Sequence, residues 1–197
     1  MILAIDTCLA NCAAALRDDA RVWSASERIG TGHAERLAPM VAALLEEAGA
    51  RASDLTRIAC TVGPGSFMGA RVGLSLAKGL ALPRGVPTVP MTTTEAIALG
   101  RRGPLCVLID ARRGQAYAES FGAGGAPLAL LPYAEAARLV EGRAVVGVGT
   151  EAVTGEPASD AFPDPVAMAA HAAGAPAGRL DPLYLRAPDA KPGKSAL

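Results

Sequence analysis

A chain of 197 residues, 51% of them hydrophobic, can bury roughly 70% of its unfolded surface in one or two cores, which excludes a long disordered polymer. Its 19 basic and 19 acidic side chains balance in each half, nine against nine over 1–100 and ten against ten over 101–197, so no overall field exists to hold a phosphate backbone unaided. The apolar stretches break well before about 18 residues, and the opening Met1-Ile2-Leu3-Ala4-Ile5-Asp6 meets an acid with no basic region ahead of it; neither a membrane span nor a conventional signal peptide is expected.

Residues 2–7 form a short apolar run ending in a carboxylate, and 12–16 form a second. Residues 21–29 alternate Val22, Ser24 and Ser26 against Trp23 and Ala25; with turns at 9–11 and 18–20 this predicts a three-strand meander. Leu37, Met40, Val41, Leu44, Leu45 and Ala48 recur at three-to-four spacing, predicting an amphipathic helix over 33–48 closed by Gly49, with Pro39 kinking it or lying in its first turn. A strand over 55–62, a Gly63-Pro64-Gly65-Ser66 turn, a helix over 67–82, a strand over 86–91 and a helix over 92–99 follow. Beyond 101–104 the pattern restarts: 105–109 is apolar and ends in Asp110 as 2–5 ends in Asp6, and 115–121 is a second strand behind it. A helix near 133–141, a strand at 144–149 and a helix at 166–173 complete the prediction of two related lobes, 1–102 and a smaller 103–197, the latter ending in a mobile tail of eleven residues.

Asp6, at the end of the first strand, has two readings: a carboxylate holding hydrated Mg²⁺ near phosphates, or a turn residue accepting backbone N–H bonds. Asp110 has the same two. The loop 63–71 lies where a strand meets a helix and free N–H groups can receive an anion, but it lacks the Gly-Lys-Ser/Thr of a Walker loop, and Pro64 removes a donor; Ser66 as a helix cap explains the same residues. In the following helix Gly69, Gly73 and Ala77 recur every fourth residue on one face, while Val72, Leu76 and Leu80 occupy another. That is more apolar surface than packing on one sheet requires, so the helix either meets a partner protein or is buried between the lobes. His33 and Glu35 read as cap or surface groups, and with His171 the only other histidine a histidine metal cage is hard to assemble. Cys8, Cys12, Cys60 and Cys106 form no CxxC pair and read as buried thiols of a reducing, cytoplasmic compartment. Arg101-Arg102 and Arg112-Arg113 are solvated loops or anion contacts.

Three segments taken together, residues 2–7 (Ile-Leu-Ala-Ile-Asp-Thr), 32–37 (Gly-His-Ala-Glu-Arg-Leu) and 63–74 (from Gly63-Pro64-Gly65-Ser66-Phe67 into Gly69-Ala70-Arg71-Val72-Gly73-Leu74), resemble the bacterial TsaB (YeaZ) family. Ile109-Asp110-Ala111-Arg112-Arg113-Gly114 and Pro182-Leu183-Tyr184-Leu185-Arg186 are similar too, so the resemblance covers nearly the whole chain. It implies a two-lobed α/β fold of the actin, hexokinase and heat-shock-chaperone ATPase kind (ASKHA), each lobe a mixed sheet with helices. It also implies a non-catalytic scaffold or activating subunit for transfer of a threonylcarbamoyl group to adenosine of tRNAs that read codons beginning with A. The implied partners are a TsaD-like catalytic paralogue and a TsaE-like ATPase, with tRNA reached through the complex and a homodimer formed when the partner is missing.

Where the catalytic paralogue carries two metal-ligating histidines four apart, this chain aligns Thr93 and Ile97; isoleucine cannot bind a metal and threonine is a poor substitute for imidazole. Cys8 and Ala111-Arg112 stand where ATPases of the superfamily use glycine, so no intrinsic cofactor is expected, and nucleotide and metal are expected on the partner subunits. The resemblance leaves Asp6 and Asp110 as weak cofactor candidates. It places a partner interface on the first lobe's helices, at Leu37, Met40, Leu44, Gly69, Gly73, Leu76 and Leu80. A competing expectation is an enzyme in its own right, a glycoprotease-like metallopeptidase or a sugar-kinase-like ATP-dependent enzyme. A pure nucleic-acid-binding module is disfavoured by zero net charge and seven aromatic residues.

Overall fold

The computed structural model describes residues 1–157 and 161–186; the expected mobile tail lies outside the described residues. The first unit runs β1 (Ile2–Asp6), β2 (Asn11–Arg17), β3 (Val22–Arg28), α1 (His33–Glu47), β4 (Arg57–Thr61), α2 (Phe67–Ala81) and β5 (Thr88–Met91). Its sheet has the order β3-β2-β1-β4-β5. The predicted meander β1–β2–β3 is antiparallel, and β4 and β5 extend it in parallel. Period-two alternation divides β1 and β4 between two cores. Leu3, Ile5, Ile58 and Cys60 face one side, packed with Leu37, Met40 and Leu44 of α1 and Leu74 and Ala77 of α2; Ala4 and Ala59 face the other. Pro39 sits past the first turn of α1 on an exposed position, so the backbone bond it removes falls on the solvent side and the helix runs through it.

The second unit runs α3 (Thr93–Ala98), β6 (Leu105–Asp110), β7 (Gln115–Phe121), β8 (Ala129–Pro132), α4 (Tyr133–Ala136), β9 (Ala144–Val146) and α5 (Thr150–Thr154). Its sheet order β8-β7-β6-β9 repeats the first sheet's β3-β2-β1-β4, two antiparallel pairings and then a parallel strand beside the opening one. The restart read at Asp110 is thus a repeat of topology. Leu105, Val107 and Ile109 pack with Ile97 of α3 on one face; Cys106 and Leu108 pack with Ala136 of α4 on the other. The two sheets with their helices form the mixed α/β, two-lobed ASKHA-like arrangement.

Several expectations are corrected. The helix predicted at 166–173 in the second lobe is α6 (Pro165–Ala172), and it covers the far face of the first sheet. There Met168, Ala169 and Ala172 fit against Ala4, Ala59, Val89 and Met91, and the two strand alanines let the helix approach closely. The chain therefore returns to the first lobe after 103, and a division into 1–102 and 103–197 does not describe the packing. Arg57 secures the return: its Nη1 donates to the carbonyls of Ala172 at 2.7 Å and Ala175 at 2.6 Å, closing the C-terminus of α6. The predicted strand 144–149 stops at Val146 because Gly147, with φ 111°, turns so close under β6 that a Cβ would stand 2.2 Å from the Leu108 carbonyl oxygen. The helix near 133–141 is a single turn, α4, continued by a 3₁₀ segment Ala137–Val140, and β8 and α5 carry no recognisable pattern in sequence. No helix among the described residues is long and apolar enough to cross a membrane.

Candidate functional site

The two strand-end aspartates use one local motif in two settings. Asp6 Oδ1 accepts the Cys8 N–H at 3.1 Å and Asp110 Oδ1 accepts the Arg112 N–H at 2.6 Å, each closing an Asx turn after the first strand of its sheet. Asp6 is completely buried. The Thr61 hydroxyl donates to its Oδ1 at 2.7 Å, while Oδ2 has no hydrogen-bond partner among the described residues. Burial pushes its carboxyl up to about 6; hydrogen bonds from Thr61 and Cys8 and the nearby His33 offset only part of that. Asp110 is exposed and accepts the Tyr133 hydroxyl at 2.8 Å.

The loop over Asp6 uses two of its donors within the protein: the Ser66 N–H on the Cys8 carbonyl at 2.7 Å and the Gly69 N–H on the Ser66 hydroxyl oxygen at 3.1 Å, while Pro64 has no N–H to give. A Cβ on Gly65 would lie 2.1 Å from the Cys8 carbonyl oxygen, so this loop is seated directly on the β1–β2 turn. The turn reading of Asp6 is the one the geometry supports. The strand-end carboxylate organises the junction of β1, β4 and the 63–66 loop, where it is completely buried.

His33 is corrected in the same way. It is buried, and its Nε2 lies 3.0 Å from the Leu9 carbonyl and 3.2 Å from that of Asn11. Carbonyls only accept, so this nitrogen carries the hydrogen and ties α1 to the β1–β2 turn. Thr93, fully buried, opens α3, and Ile97 is part of the second sheet's core, so the pair aligned with metal ligands has no imidazole and one purely apolar member. All four cysteines are buried, and burial together with the charge of Asp6 pushes the Cys8 thiol up to about 12.

The helix faces expected to meet a partner divide. Leu37, Met40 and Leu44 are core residues of the chain itself. Gly69 and Gly73 face inward: a Cβ on Gly69 would stand 2.1 Å from the Thr7 carbonyl oxygen, and one on Gly73 would stand 2.6 Å from the Thr7 hydroxyl. Thr7 Oγ1 in turn donates to the Gly69 carbonyl at 2.7 Å. The small-residue stripe therefore serves the close approach of α2 to the end of β1. Leu76 and Leu80 are only partly buried.

What α1 and α2 leave open is a groove between them of about 410 Å³, lined by Ala34, Leu37, Ala38, Met68, Arg71, Val72, Ser75 and Leu76. Ala34 and Ala38, continued by Ala42, lie four apart on the exposed side of α1, opposite Leu37, Met40 and Leu44. That alanine spacing was the sequence signal for the groove. Phe67, Met68 and Leu82 are exposed on α2 and just beyond its end. Arg71 is the only charged residue lining the groove among the described residues.

The comparisons with known proteins agree with this architecture. The family model for TsaD, tRNA N6-adenosine threonylcarbamoyltransferase, matches residues 27–137. The tRNA threonylcarbamoyladenosine biosynthesis protein TsaB of Escherichia coli is 39% identical over 121 residues, 59% of this chain and 52% of that protein. The chain thus spans about half the length of the curated TsaB relatives it matches. An uncharacterized protein of Mycobacterium tuberculosis is 32% identical over 206 residues, covering 97% of this chain and 94% of its own. YeaZ from Pseudomonas aeruginosa superposes with a TM-score of 0.75 at 28% identity, covering 93% of this chain and 99% of that structure. With a family model matching more than half of the chain, curated relatives at 30–39% identity and solved structures covering more than nine-tenths of it, the chain belongs to the TsaB (YeaZ) family.

Proposed function

We propose that this chain is a subunit of the machinery that makes threonylcarbamoyladenosine on tRNA, that it pairs with a TsaD-like transferase through the α1–α2 groove, and that it contributes no transferase chemistry itself. The observation that carries the reading is the groove: a nearly uncharged, small-residue and aliphatic surface formed by two helices whose inward-facing apolar side chains are already committed to the core. Such a surface favours a second helix pair of the same fold, because alanines let backbones approach and Met68, Val72 and Leu76 supply apolar area. The sealed Asp6 and the apolar Ile97 fit a role as scaffold. Nucleotide and metal then belong to the partner subunits, a TsaE-like ATPase and tRNA join through the complex, and two copies of this chain pair through the same groove when the transferase is missing.

The test is reconstitution of tRNA modification with the transferase and the ATPase, with and without this chain. Modification lost only when the chain is omitted is the expected result; full modification without it removes the proposal. The double variant Ala38→Glu/Met68→Glu places two charges on exposed groove positions and should weaken transferase binding about tenfold or more, with little change in the melting temperature. Unaltered affinity would move the interface elsewhere. Stoichiometric metal or ATP turnover by the purified chain would support the competing enzyme reading; among the described residues no group of three or more His, Cys, Asp or Glu side chains could hold a metal ion.

A further inference from the structure

Arg71 lines the α1–α2 groove and also stands against two aromatic rings outside it. Phe67 opens α2 behind its Ser66 cap, and Tyr184 lies on the segment that follows α6; they are 51% and 46% exposed. Their ring centroids are 5.2 Å apart, with planes tilted by 34°. Arg71, one turn further along α2, holds its guanidinium carbon 3.7 Å from the Phe67 centroid and 5.9 Å from that of Tyr184, and its Nε donates to the Tyr184 hydroxyl at 3.0 Å. The backbone beneath Tyr184 is held as well. The Leu183 N–H donates to the Val62 carbonyl at 2.8 Å, and Gly63, with φ 107°, passes so close that a Cβ there would stand 3.0 Å from the Leu183 carbonyl oxygen.

The guanidinium is positioned but not neutralised. Its two Nη nitrogens make no hydrogen bond or ion pair among the described residues. The Phe67 ring and the Tyr184 hydroxyl fix its orientation, so little side-chain freedom remains to be lost when a second molecule binds. The groove around it is lined by alanine, aliphatic and serine side chains, with no carboxylate among the described residues. Glu35, exposed beside Ala34 on α1, is not part of that lining. A guanidinium desolvated without a counter-charge is costly, so a molecule that covers Arg71 favourably brings a negative group to it.

We propose that Phe67, Arg71 and Tyr184 form the anchor by which the groove selects the transferase over a second copy of this chain: the transferase sets an apolar side chain against the rings and a carboxylate on the guanidinium. Exposed aromatic and arginine side chains beside an apolar groove are the residue types that dominate binding energy at protein interfaces. Self-pairing through the groove follows a two-fold axis, so the surface that meets Arg71 is the same uncharged lining and supplies nothing to neutralise it. A different chain of similar fold is free of that symmetry and can place an acid there. The missing counter-charge therefore acts against the homodimer as well as in favour of the heterologous pair. Tyr184, 113 positions after Arg71, brings the C-terminal segment into the interface. The inference rests on the groove reading above and adds to it the residues that choose the partner and the charge that partner carries.

The experiment titrates the full chain against the transferase over a range of salt concentrations and follows self-association of the chain alone by sedimentation. Arg71→Gln should weaken transferase binding about tenfold or more and flatten its salt dependence, with the melting temperature nearly unchanged, because an ion pair formed on binding is lost. Arg71→Lys, which keeps the charge without the planar fork, should restore part of the salt dependence. Phe67→Ala/Tyr184→Ala should weaken the same binding about tenfold or more, while Tyr184→Phe, which keeps the ring, should stay within about threefold. Self-association of Arg71→Gln should be unchanged or tighter. Transferase affinity and salt dependence equal to the parent's in Arg71→Gln overturns the anchor, and so does self-association weakened as much as transferase binding. The groove variant Ala38→Glu/Met68→Glu separates the anchor from the reading beneath it. If that variant releases the transferase while Arg71→Gln and the ring variant do not, the anchor falls and the groove stands; if none of them releases it, both fall.

Discussion

Asp6 gives a quantitative test of how its site is built. The carboxyl is raised from 3.8 to about 6, chiefly because burial penalises its charged form. One pKa unit is worth about 1.4 kcal/mol, so the difference between folded and unfolded chain amounts to about 3 kcal/mol. The sign is opposite to that of a salt-bridged carboxylate. Between pH 4 and pH 6 the unfolded chain has released the proton and the folded chain still holds it, so stability falls as pH rises through this window and levels off above it. Asp6→Asn is nearly isosteric, keeps an acceptor for Thr61 and Cys8, and cannot titrate. Urea unfolding of both proteins at pH 4, 5, 6 and 7 should show the variant gaining about 2.4 kcal/mol on the parent from the acid end to the neutral end, whatever its stability at any one pH. Titrating groups that do not interact with Asp6 cancel in that difference, and equal m-values verify that the same transition is compared. A difference independent of pH, or one that shrinks as pH rises, would refute the assignment of a desolvated, incompletely paired carboxylate.

The inward glycines make the chain's own stability sensitive where exposed positions would tolerate change. Gly69→Ala and Gly73→Ala should each lower stability by about 1–3 kcal/mol in thermal unfolding, despite the better helix propensity of alanine, because the new Cβ meets Thr7. Arg57→Ala removes two charge-assisted bonds to the end of α6 and should cost about 2 kcal/mol or more, with hydrogen exchange rising first over residues 165–172. Met168→Ala should cost about 2–5 kcal/mol as a cavity in the first lobe's far core; a loss confined to the second lobe's exchange pattern would contradict the placement of α6. A thiol reagent should label none of Cys8, Cys12, Cys60 and Cys106 in the native chain and all four in denaturant, since each is buried and none of their pKa values is lowered.

Local chemistry was legible wherever one segment's pattern was sufficient. The alternation of 22–28, the heptad-like spacing of α1, the Ser66 cap and the recurrence of an apolar strand ending in aspartate all appear in the structure as elements. The same residues also carried the family resemblance. What no segment contains is the identity of the surface it packs against. Gly69 and Gly73 read equally well as a face for a partner and as a face for Thr7, because a small residue records only that something comes close. The helix 165–172 has an apolar, small-residued face that suits either sheet, and Ala4, Ala59 and Arg57, over 100 positions earlier, determine which sheet receives it. Asp6 and Asp110 share a motif in sequence and differ by the whole of their exposure, since desolvation is a property of the assembled junction. By itself the sequence determined most of the elements, the repeat and the family. Only the tertiary structure decided which helix faces were spent on the core, and so which surface remains for another molecule.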